Sequence, residues 1–112
     1  MNNFSLTLNN SSGDGTLLTL DLVNIKKAAL ILRAVNHKLR QQILKVIDEH
    51  GKITVTGLYQ QLRLEQSVAS QHLAILRKAK FVKTHRDGKF IFYSVNVSRL
   101  PELNSFINNL LH

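Results

Sequence analysis

Cysteine is missing from this 112-residue chain. Its absence excludes disulfides, thiolate metal sites and thiol redox sensing together. Acidic residues are scarce, 7 Asp and Glu against 15 Lys and Arg, and they are spread too thinly for a paired-carboxylate site. A glycine-rich phosphate loop and a Ser–His–Asp order are also lacking, so no enzyme and no cofactor is expected. The five histidines include His37, His50, His85 and His112, which are scattered without metal-ligand spacing, so no metal site is assigned. No apolar run approaches the roughly 18 residues a membrane span needs. The longest, Ala28–Leu32, is bracketed by Lys26, Lys27 and Arg33. No basic region followed by an apolar core marks the N-terminus for secretion. The expectation is a cytoplasmic protein without a membrane partner.

What is present is positive charge and amphipathic helices. The formal net charge is +8, which favours polyanionic partners, nucleic acid first and acidic membrane second. The excess is placed unevenly. Arg77, Lys78, Lys80, Lys83, Arg86 and Lys89 follow one another with Asp87 the sole acid among them. An apolar fraction of 44% suits one modest core in a single domain.

The organising stretch is Glu65–Asn96. Val68, Ala69, Leu73, Leu76 and Ala79 recur at helical spacing and predict the buried stripe of a helix over Gln66–Lys80. The opposite stripe, Gln66, Ser67, Ser70, Gln71, Ala74, Arg77 and Lys78, begins hydrogen-bond-rich and ends cationic. Phe81–Val95 then alternates around Asp87-Gly88, a strong hairpin signal. Helix plus basic hairpin predicts a winged helix-turn-helix, mainly α with a small β-hairpin: five helices and a two-stranded wing.

Upstream, Met1–Thr16 is polar and turn-rich and opens a segment, residues 1–18, set apart from the rest. They are expected as a flexible arm with at most a short strand at Phe4–Leu8, leaving 19–112 as the folded domain. Without basic residues this is no minor-groove arm. Asp21 is a plausible cap for a first helix to about Val35, and Asn36 or His37 opens a second that stops at Gly51. Leu39, Ile43, Leu44, Val46 and Ile47 form its inner face. Thr54 caps a third helix with Leu58, Leu62 and Val55 inward. Ser98 caps a fifth with Pro101 in its first turns. The first and fifth helices carry more apolar surface than a small core absorbs. Leu22, Ile25, Ala29, Leu32, Leu103, Phe106 and Leu110 are therefore expected at a homodimer interface.

Three segments resemble the ArsR (ArsR/SmtB) family of bacterial winged-helix repressors. They are Leu32-Arg33-Ala34-Val35-Asn36-His37-Lys38-Leu39-Arg40-Gln41-Gln42-Ile43-Leu44, Val68-Ala69-Ser70-Gln71-His72-Leu73-Ala74-Ile75-Leu76-Arg77, and the wing from Arg86-Asp87-Gly88-Lys89 to Tyr93. The likeness spans about Ile25 to Leu111. It implies a homodimeric five-helix repressor whose operator binding an inducer weakens. Departures bear on the inducer. Metal-sensing members carry a Cys-x-Cys pair where this chain has Thr54 and Thr56. Neutral hydroxyls do not replace thiolates on soft ions. A second family site uses Asp, His and Glu of the terminal helix, which here offers only Glu102 and His112. The inducer is left open: a small molecule, a protein or none. Lys38 stands where proline is frequent, and Glu65 where a serine often caps the recognition helix.

Gln66, Ser67, Ser70 and Gln71 are the candidates for base-edge contacts with a double-stranded operator, since Gln pairs bidentately with adenine and Ser bonds several bases. Arg40, Arg77, Lys78, Lys83, Arg86 and Lys89 are the candidates for the DNA backbone, supplying register and salt-dependent affinity. For Arg40 an internal pairing stands equally open. His72, at the border of the two faces, reads as a packed or capping histidine before a DNA contact. Two other readings compete with a DNA-binding regulator. One is a winged-helix module that docks on protein, and the other is a metal-responsive repressor with a nonstandard His and carboxylate site.

Overall fold

A computed structural model describes residues 4–10 and 13–112 of the chain. The chain forms two compact units, Met1–Arg33 and Ala34–His112.

In the first unit, strands β1 (Ser5–Asn9) and β2 (Leu17–Asp21) pair antiparallel, with Leu6 opposite Leu20 and Leu8 opposite Leu18. The stretch expected as a flexible arm is thus largely a hairpin, and the boundary drawn at residue 18 falls inside β2. The strand foreseen at Phe4–Leu8 is present one residue later; its partner was not foreseen. The physical reason is cross-strand: each leucine in β1 meets a leucine in β2, a pairing that neither segment announces alone. Met1, Asn2, Asn3, Ser11 and Ser12 of that arm lie outside the described residues. Asp14 accepts bonds from the Thr16 hydroxyl and, at 3.0 Å, from the Thr16 backbone N–H. Together these hold its carboxyl below the usual range.

Helix α1 (Leu22–Val35) follows β2 with no intervening residue. Asp21 is its cap, as expected: one carboxylate oxygen accepts from Val23 N at 3.0 Å and from Asn24 N at 3.1 Å. The Leu22 N–H donates to the Phe4 carbonyl at 2.8 Å.

The second unit contains α2 (Lys38–His50), β3 (Ile53–Thr54), α3 (Val55–Leu62), α4 (Gln66–Lys78), β4 (Val82–Asp87), β5 (Phe90–Val95) and α5 (Arg99–Leu111). With α1 these make the expected five helices and two-stranded wing, and β3 adds a short third strand in the order β3-β5-β4. Ile43, Ile47, Leu58, Leu73, Leu76 and Phe81 are the largest fully buried side chains. Each stabilises the fold by roughly 1.5–3 kcal/mol relative to exposure.

Helix ends explain the tight spacing of α3, α4 and the wing. Thr54 Oγ1 caps α3 by accepting from Gly57 N at 3.1 Å. His37, an unusual cap, accepts from Arg40 N through Nδ1. Helix α3 closes on Arg63 at φ 56°, with Leu64 N bonded to Tyr59 O and Arg63 N to Gln60 O. Helix α4 closes in the same way on Lys80 at φ 65°, with Phe81 N bonded to Leu76 O and Lys80 N to Arg77 O. Both are Schellman closures with a cation where glycine is usual. Ser98 is not the side-chain cap expected for α5: it sits in the helical region and its hydroxyl donates to Asn96 Oδ1.

Candidate nucleic-acid interface

Helix α4 presents two contrasting faces. Ala69, Leu73 and Leu76 are buried at 1% exposure or less, with Ala79 beyond the helix end also buried and Val68 half-buried. Gln66, Ser67, Ser70, Gln71, Ala74, Arg77 and Lys78 are all exposed. The period of 3.6 produces this division directly, because residues three and four apart share a face. Glu65 stands at the N-cap without a side-chain bond to the helix. Arg77 and Lys78 occupy the last turn, where the helix dipole favours cations.

His72 joins α4 to α2. Its Nδ1 lies 3.3 Å from Arg40 Nη1, and its ring centroid lies 5.0 Å from that of His37. Burial first, then the charges of His37 and Arg40, push its pKa below the ordinary imidazole value. This is the packing role expected for it. Of the two roles open to Arg40, the structure displays the internal one. Its Nε donates to the Ala34 carbonyl at 2.6 Å while Nη1 meets His72, and the side chain is half-buried. An arginine near the start of α2 thus folds back toward the carbonyl end of the preceding helix.

The wing distributes its cations. Register pairs Lys83 with Ser94 and Arg86 with Ile91, so Lys83 and Arg86 project from opposite faces of the hairpin. Lys89 lies in the two-residue turn Gly88-Lys89, where Gly88 has φ 62° and Asp87 still pairs with Phe90. Its ammonium stands 5.5 Å from the Phe90 ring centroid. The candidates therefore fall into the exposed stripe of α4 with Arg77 and Lys78, the turn, and two separate wing faces.

Sequence reasoning missed Asn96 and Arg99. Asn96 Nδ2 donates to the Lys80 carbonyl at 2.9 Å, and Asn96 N to the Phe81 carbonyl at 2.9 Å. Arg99 Nε donates to the Ala79 carbonyl at 3.0 Å. These bonds tie the far end of the wing to the end of α4, across a sequence distance with no local signal. An apolar pocket of about 290 Å³ opens beside them, with Leu44, Phe81, Val95 and Leu100 in its walls and Lys45 and Asp48 also lining it. Among the described residues no three His, Asp or Glu side chains gather in a group that could hold a metal, and the Thr54 hydroxyl is engaged in its helix cap. No helix among them is long and apolar enough to cross a membrane.

Known proteins share this arrangement. The sequence profile described as "Bacterial regulatory protein, arsR family" matches residues 37–84, from the α2 cap into the wing. An HTH-type transcriptional regulator of Methanocaldococcus jannaschii is 34% identical over 85 residues, covering 76% of this chain and 96% of the relative. The transcriptional repressor PagR of Bacillus anthracis is 30% identical over 89 residues, covering 80% of this chain and 89% of the relative. Its crystal structure superposes with a TM-score of 0.61, covering 78% of this chain and 99% of that one. The structure of reduced HlyU from Vibrio cholerae matches at 30% identity with a TM-score of 0.60, covering 80% of this chain and 93% of that one. With the helix pair and wing in place and such relatives matched over most of their length, the chain belongs to the arsR family of bacterial regulatory proteins and is a DNA-binding transcriptional regulator.

Proposed function

We propose that the chain acts in the cytoplasm as a homodimeric, sequence-specific repressor, reading the major groove with α4 and flanking DNA with the wing. The observation that carries this reading is the unbroken exposure of Gln66, Ser67, Ser70 and Gln71 on a helix whose other face anchors the core. A helix so anchored presents its polar groups without first having to order itself, and the N-terminal residues of such a helix are those that meet base edges. Arg77, Lys78, Lys83, Arg86 and Lys89 neutralise phosphates along the flanks. Arg40 acts indirectly, holding His72 and with it the setting of α4.

Dimerisation is supported by apolar side chains left on the outside of two helices. Ile25 is 47% exposed on α1; Phe106 is 45% and Leu110 68% exposed on α5. Leu22, Ala29, Leu32 and Leu103 are half-buried and complete the proposed contact. Two copies would place their α4 helices in successive major grooves about one turn apart on a near-palindromic site. Repression is favoured by the likeness to PagR, a transcriptional repressor, whereas HlyU is a transcriptional activator. The pocket beside Phe81 is the space we assign to a small apolar inducer. At about 290 Å³ it lies at the lower end for ligand sites, so the molecule must be small.

The test is titration of the purified protein against its own upstream DNA and a scrambled duplex at several salt concentrations, with an upstream-promoter reporter to give the sign of regulation. Tight, salt-sensitive preference for the upstream DNA is expected. No binding even at low salt would transfer the reading to a protein-docking module.

A further inference from the structure

None of the described residues from 4 to 33 is buried. Nine large apolar side chains of this stretch are exposed: Phe4, Leu6, Leu8, Leu17, Leu18, Leu20, Val23, Ile25 and Leu30. The hairpin sorts its share of them. Leu6 faces Leu20 and Leu8 faces Leu18 across the strands, and the strand period places all four on one side. Ser5, Thr7, Asn9, Leu17, Thr19 and Asp21 take the other side, where Leu17 is the one large apolar side chain and the Thr7 and Thr19 hydroxyls meet at 3.5 Å. A two-stranded hairpin alone is marginal in water, so its leucine face needs a cover.

The cover is identified by charge, polarity and continuity. No Lys or Arg precedes Lys26, and Asp14 and Asp21 are the only charged side chains before it. Anionic lipid and nucleic acid are thereby disfavoured. The leucine face holds no charge or polar side chain, so two copies can meet on it without repulsion and without stranding a hydrogen-bonding group. The face is also fixed to α1. Asp21 ends β2 and caps the helix, and Leu22 N is bonded to Phe4 O. Four half-exposed leucines offer only a few hundred Å², short of the roughly 800 Å² per partner of a stable interface. The face therefore works as an extension of a larger contact, the one proposed above through Leu22, Ile25 and Ala29 of α1.

We infer that the leucine face of the hairpin packs on the same face of a second copy of this chain, an isologous contact that extends the dimer interface. The inference rests on the homodimer reading given above.

Sedimentation velocity on the full chain tests it. Leu8→Asp should weaken the dimer more than about tenfold, a hot-spot-sized loss, while Thr7→Asp on the opposite face should leave it within about threefold. Because the chain has no cysteine, Leu8→Cys and Leu18→Cys introduced singly give a second readout. At least one should form a disulfide-linked dimer under mild oxidation, and Thr7→Cys should not. If Leu8→Asp and both cysteine variants behave like their Thr7 controls while Phe106→Asp dissociates the dimer, the hairpin contact is overturned and the homodimer stands. A wild-type chain that stays monomeric at all concentrations overturns both. Binding of the wild type, but not Leu8→Asp, to phosphatidylcholine vesicles would replace the second copy by lipid.

Discussion

Residues 34–112 enclose a core, whereas the large apolar side chains described in residues 4–33 are exposed or at most half-buried. Among the described residues, all 12 buried apolar side chains, from Ala34 to Val82, fall in the second unit. The first unit has regular hydrogen bonding, a capped helix and a well-registered hairpin, yet buries nothing among its described residues. Backbone order and core formation are thus separable in this chain. The part that carries α4 encloses the core, although α5 within it also leaves Phe106 and Leu110 exposed, while the part before it buries none of its described side chains.

Four experiments break or sharpen that contrast, beginning with the largest effect. Phe81→Ala, at a site 1% exposed, should cost about 3–5 kcal/mol in urea unfolding. Leu6→Ala, measured at high dilution, should stay within about 0.5 kcal/mol. Equal losses would erase the contrast. Next, Ser70→Ala combined with Gln71→Ala should remove about 1–3 kcal/mol of discrimination between operator and random DNA, with little change in the melting temperature. Arg86→Ala should instead weaken all duplexes alike and make the salt slope shallower by about 0.9, the mark of one phosphate. Unchanged discrimination in the double variant would remove the base-contact assignment.

Third, Lys80→Gly should raise stability by about 0.5–1 kcal/mol, because a side chain at φ 65° carries a penalty that glycine escapes. A higher urea midpoint at constant slope is the expected signature. The smallest effect concerns pH. His72 is held below its ordinary value in the folded chain and returns to about 6.5 on unfolding. Between those values the unfolded chain binds a proton that the folded chain refuses. Stability should therefore fall as pH drops through about 6.5, and level off once the folded value is passed. His72→Gln should flatten that part of the urea-midpoint profile relative to the wild type; parallel profiles would show that His72 does not contribute.

Much of the second unit was legible because its signals are local. The three-and-four spacing of Ala69, Leu73 and Leu76 located the buried face of α4, and Thr54 caps the helix it was expected to cap. What escaped is non-local or atypical. Ile53–Thr54 is too short to show alternation, and becomes a strand only by pairing with Tyr93 and Phe92. Leu17, Leu18 and Leu20 break the period of two, so β2 reads as the prelude to a helix. Lys80 does the work of a glycine, and no propensity announces it. Arg40 was ambiguous for a related reason: sequence locates its Cα on α2, but not the carbonyl of Ala34 to which the guanidinium turns.

The ties between the wing and α4 carry a mechanical consequence. Three successive carbonyls just beyond α4, those of Ala79, Lys80 and Phe81, are held by Arg99 and Asn96 from beyond the wing. On the function proposed above, these bonds would let α4 and the hairpin meet a duplex as one body. A duplex that meets both must supply any curvature or groove widening itself. Sequences between the contacted positions should consequently be ranked by how readily they deform, with pliant pyrimidine–purine steps preferred over rigid A-tracts. Discrimination would extend to base pairs that no side chain touches.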